Sequence, residues 1–73
     1  SDEISVLKFE NSEELFNITL EPNETLSNVK KMIEDQRSIK FDVVTEKGVT
    51  IMGNKKISEM NGKIYIKNIV KNT

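Results

Sequence analysis

Apolar residues recur with helical spacing in one stretch of this 73-residue chain, and segments that alternate with period two lie on either side of it. Leu26, Val29 and Ile33 fall at i, i+3 and i+7, a single stripe along a helix running from Leu26 to about Gln36. Thr25 stands directly before the stripe, where its hydroxyl can accept an orphan backbone N–H as an N-cap. Lys30, Lys31, Glu34 and Asp35 fall off the stripe and are expected in solvent, with Met32 on its flank. A lone amphipathic helix of this length is not stable by itself, so its stripe must be buried on something else.

The flanking segments predict a sheet. Residues 4–10 form a β-rich run whose alternation slips around Val6 and Leu7. A polar connection at residues 11–14 has hairpin length. Residues 15–20 then place Phe16, Ile18 and Leu20 on one face and Asn17 and Thr19 on the other. Pro22 and Asn23 mark a turn before the helix, because Pro22 has no N–H to give a ladder. Past the helix, residues 41–45 read as a strand, Glu46-Lys-Gly48 as a turn and residues 49–51 as a partner strand. Ile57-Ser-Glu-Met60 reads as a short helical turn or loop, and Asn61-Gly62 as a tight turn. The last run directs Ile64 and Ile66 inward and Tyr65 and Lys67 outward. The predicted order is β-β-α-β-β-β: one α+β domain spanning residues 1–73, a mixed sheet with one helix across one face.

Composition narrows the function. The chain has no histidine and no cysteine, which removes Ser-His and Cys-His nucleophile pairs, disulfides, and thiolate or imidazole metal sites. No catalytic residue, metal or cofactor is assigned, and no enzyme is expected. A formal charge of −1 argues against a nucleic-acid partner. No apolar run approaches a membrane span, so no membrane partner is expected. Alanine is absent, and fifteen Ile and Val stand against four Leu, which favours strands over helices. Lys55, Lys56, Lys63 and Lys67 could form a basic strip, but lysine is abundant throughout and a solvated face accounts for them. Asp2, Glu3, Glu13, Glu14 and Glu21 are candidates to group near one edge, and without a histidine they are assigned neither metal nor acid–base chemistry.

The segment Ile18-Thr-Leu-Glu-Pro-Asn-Glu-Thr-Leu-Ser-Asn-Val-Lys-Lys-Met-Ile-Glu-Asp35 resembles the second strand, turn and helix of the ubiquitin family, without gaps. Ile57-Ser-Glu-Met-Asn61 is similar to the loop before that family's last strand. The resemblance implies the β-grasp fold, in agreement with the order read from periodicity. It also implies an intracellular setting, cytoplasmic or nuclear, and a monomeric domain that binds a protein of the ubiquitin–proteasome or a related pathway.

The departures qualify this. Conjugated family members end in Gly-Gly, whereas this chain ends Val70-Lys-Asn-Thr73. The expectation is an integral ubiquitin-like domain of a larger protein. The alternatives are a modifier whose tail lies beyond Thr73, or a scaffold domain of Ras-association type. The family's usual binding patch is apolar and lies on the open face of the sheet. Carried over position by position, it falls on Asn11 (or Ser12) in the hairpin, on Val44 or Thr45 in the third strand (Val44 by alternation), and on Lys67 with Tyr65 beside it in the last. Asn11, Val44, Tyr65 and Lys67 are therefore the candidate partner-binding residues, with Val44 expected to point outward and be accessible.

Overall fold

The structure is a computed structural model that describes residues 1–72. Its elements are β1 (Asp2–Lys8), β2 (Glu13–Leu20), α1 (Leu26–Arg37), β3 (Ile39–Val44), a 3-10 turn (Ile57–Met60) and β4 (Lys63–Lys71). The sheet runs β2-β1-β4-β3. Its central pair, β1 and β4, is parallel, and each outer pair is antiparallel. This is an α+β, β-grasp architecture.

The helix forms where its stripe predicts. Thr25 is extended at φ −85° and ψ 148°, and its Oγ1 accepts the Asn28 N–H at 3.4 Å. A cap of this kind contributes about 1 kcal/mol. The helix ends at Ser38, which turns left-handed at φ 53° and donates its N–H to the Glu34 carbonyl. Leu26, Val29 and Ile33 bury against Ile4, Val6, Phe41, Val43, Ile64 and Ile66 of the sheet, and Ile57 joins them from the 3-10 turn. Burying each of these side chains is worth about 1.5–3 kcal/mol, so this layer is the source of stability. Three backbone bonds strap residues 55–58 to the chain around the helix start, and a fourth closes the first helical turn. Leu26 donates to Lys55, Ile57 to Glu24, and Ser58 to Pro22, while Val29 donates to Thr25 inside the first turn.

Two expectations are corrected. Residues 49–51 do not form a strand. Thr50 makes one isolated bridge to Val44, and Ile51 donates to the Val43 carbonyl at 2.9 Å. Gly48 and Gly53 both take positive φ on either side, so too few extended residues remain between them to propagate a ladder. The described sheet accordingly has four strands. Second, Glu34 does not face solvent and is 8 % exposed. β3 follows the helix after a single residue and folds back along it, which encloses the last helical turn. Lys30 and Lys40 lie 3.2 and 3.7 Å from the Glu34 carboxylate, which also accepts the Phe41 N–H at 3.2 Å.

Glu34 shows which effect wins at a buried acid. Burial is the largest influence and pushes its pKa up. The Phe41 N–H bond, the Lys30 bond and charge, and then the Lys40 charge together outweigh it, so the carboxyl sits below its ordinary value. Lys30 and Lys40 are 38 % and 64 % exposed, so their charges are screened. The Phe41 N–H is the partner that water cannot replace.

Candidate functional site

The face of the sheet opposite the helix holds a second apolar seam. Ile64 and Ile66 enter the core, so Tyr65 and Lys67 of β4 project to the other side. Strand register places Leu7 of β1 and Val44 of β3 on either side of Tyr65. Val43 is a core residue, which turns Val44 to the open face; Val6 is likewise core, and Leu7 is not. The register of β1 against β2 shifts between Val6 and Leu7, where Leu15 is the unpaired extra residue of β2. The slip in alternation at Val6 and Leu7 reflects burial on both faces of β1, Val6 in the core and Leu7 on the opposite side.

The seam is covered at one end. Leu7 and Val44 are only 7 % and 1 % exposed although neither belongs to the main core. Phe9 extends beyond β1, its N–H donating to the Ile66 carbonyl at 2.8 Å. The 45–49 turn closes back on itself, with Thr45 donating to Val49 at 2.8 Å and Gly48 to Thr45 at 2.9 Å. Thr45 Oγ1 also accepts from the Lys47 and Val49 N–H groups. This turn brings Gly48 against Phe9. A Cβ on Gly48 would stand 2.7 Å from the Phe9 ring, and Gly48 has φ +89°, so a side chain there would displace Phe9 and strain the backbone. Lys67 stays on this face: its Nζ lies 5.7 Å from the Phe9 ring centroid and donates to the Gly48 carbonyl at 3.4 Å.

The other side of Tyr65 is open. An amphipathic groove of about 440 Å³ is lined there by Val44, Ile51, Met60 and Tyr65, with Lys55 and Lys63 among its charged residues. Glu46 and Glu59 line it too, and Lys55 sits 3.7 Å from Glu59. The groove therefore offers an apolar strip and charges of both signs. Tyr65 is half-buried on a rigid strand, with its ring available to a partner at low entropic cost.

The four sequence-derived residues are thus placed unequally. Val44, Tyr65 and Lys67 come together on one face. The expectation that Val44 is accessible is corrected: it packs between Tyr65 and the 45–51 segment, which folds over the β3 end. Asn11 is exposed at the hairpin tip, where its side chain accepts the Glu13 N–H at 2.9 Å and stabilises the turn. No hydrogen bond joins it to the other three among the described residues. Leu7 and Phe9 are the residues that sequence reading missed. Two adjacent apolar residues at a slip in alternation signal burial on both faces, and that signal was present at Val6 and Leu7.

Among the described residues no three acidic side chains gather into a metal-binding group. No protein-family model and no curated protein matches the chain.

Proposed function

We propose that the protein is a non-catalytic, ubiquitin-like interaction domain that docks a partner protein on the open face of its sheet, in the ubiquitin–proteasome or a related pathway. The β-grasp architecture supports this reading. So does the strand–turn–helix segment that carries the family resemblance, which coincides with β2, the 21–25 turn and α1. The observation that carries the docking site is the open amphipathic groove beside half-buried Tyr65, lined by Ile51, Met60 and Lys63. Tyrosine beside an apolar strip and flanked by charge is the composition of an interface centre. Lys63 and Lys67 on the same strand select a partner with acidic groups at its rim. Contacts on the outer face of α1 would gain little, because Lys31 and Asp35 are exposed, flexible and of opposite sign.

The test is retention of binding partners by immobilised domain. Wild type and a Tyr65→Ser, Lys63→Glu double variant are compared, and each retained protein is then titrated in purified form. At least one purified partner is expected to lose about tenfold or more in affinity for the double variant. Equal affinity of every purified partner for both forms would remove the open face as the docking site.

A further inference from the structure

The two edges of the sheet are finished differently. On β3, the Phe41 N–H is taken by the Glu34 carboxylate, the Val43 carbonyl by the Ile51 N–H, and the Thr45 N–H by the Val49 carbonyl. On β2, nothing described takes the equivalent groups. The Ser5 N–H donates to the Gly62 carbonyl, on the β4 side, so the backbone of Ser5 faces away from β2. Asn17, directly opposite Ser5, therefore turns its own N–H and C=O outward, and alternation makes Thr19 do the same. The Asn17 side chain does not cover them: it is held between Ser5 Oγ at 2.9 Å and Glu14 at 2.7 Å. Beyond the bulge at Leu15, residues 16–20 run in regular register with no Lys, Pro or Gly to blunt the edge.

We propose that this edge of β2 receives an extended, lysine- or arginine-bearing segment of a partner protein, which adds to the sheet as a further strand. Charge selects that occupant. Residues 1–24 hold seven carboxylates (Asp2, Glu3, Glu10, Glu13, Glu14, Glu21 and Glu24) against Lys8 alone, a net −6. The remaining chain holds ten cations against five carboxylates, a net +5, and the two parts make up the −1 of the whole. Glu13, Glu14 and Glu21 are exposed and bracket the free run, while Asp2 and Glu3 pair with Leu20 and Thr19 one strand in. A second copy is a poor occupant. Pairing β2 with β2 brings two residue 1–24 segments of net −6 together, and like charges facing across strands repel. The other edge of a second copy already has its Phe41 N–H, Val43 carbonyl and Thr45 N–H taken. A basic segment gains backbone bonds from Asn17 and Thr19 and favourable charge from the bracket. This surface is separate from the groove at Tyr65.

The probe is a short synthetic peptide alternating lysine and valine, with a glutamate–valine peptide as its counterpart. Amide hydrogen exchange of the full domain reads the edge directly. The lysine peptide is expected to slow exchange at Asn17 and Thr19, and the glutamate peptide to leave it unchanged. Thr19→Pro deletes an outward N–H without touching the ladder to β1 and is expected to weaken binding about tenfold. Should that variant unfold, Glu13→Lys with Glu21→Lys keeps every backbone bond and is expected to weaken binding as well. Tyr65→Ser is expected to bind the peptide as wild type does. Unchanged exchange at Asn17 and Thr19, equal binding of both peptides, full binding by a folded Thr19→Pro, or dimerisation through β2 would each overturn the proposal.

Discussion

Glu34 concentrates more of the fold's logic than any other side chain. It closes the helix onto β3, satisfies an edge N–H and is ionised despite its burial. Because its folded pKa is depressed, its contribution to stability is fully present above the unfolded value and is lost as pH falls through the folded one. That loss begins below about pH 4.5. Glu34→Gln keeps an acceptor for Phe41 but drops the charge, and should cost about 1 kcal/mol at neutral pH. Urea midpoints of the two proteins should differ at pH 7 and converge toward pH 3. A gap that does not narrow would show that the charge of Glu34 contributes nothing. Sequence alone put Glu34 in solvent, because periodicity reports which residues face the sheet and not where a following strand folds back. Thr25 was legible for the opposite reason, since capping is settled by residues within one turn of it.

The elements follow the same division. The helix, the hairpin and β4 are local patterns, and each formed where its periodicity placed it, with ends moved by one or two residues. The segment after Gly48 was misread as a strand because its residue types favour one while two flanking glycines leave it too short. Val44 exposes a subtler failure. Alternation correctly turned it away from Val43, but a face turned away from the helix is not thereby exposed. The 45–51 segment covers it, and only tertiary structure could show that. The consequence is testable. Val44→Asp places an unpaired carboxylate beside Tyr65 in a fully packed position, and the cost of burying it competes with the whole stability of a domain this size, about 3–5 kcal/mol. Circular dichroism should show Val44→Asp largely unfolded at room temperature. A folded variant with a urea midpoint near wild type would mean that the 45–51 cover opens readily and Val44 is part of the accessible face after all.

At the scale of the whole molecule, one layer of side chains between helix and sheet supplies stability, and the opposite face is free to differ. There the chain has built a small covered seam ending in Phe9, Gly48 and Lys67, and has left a groove open beside Tyr65. Tyr65 and Lys67 were readable from the period of β4. The groove was not, because it is assembled from β3, the 45–51 segment, the 3-10 turn and β4, which meet only in the fold. The central claim is that this face docks a partner. Amide chemical shifts of the labelled domain, titrated with a purified partner that it retains, test it most directly. The account predicts that the largest changes fall on Tyr65, Lys63, Ile51 and Met60 around the groove. Changes confined to the outer face of α1, from Lys30 through Gln36, would contradict it.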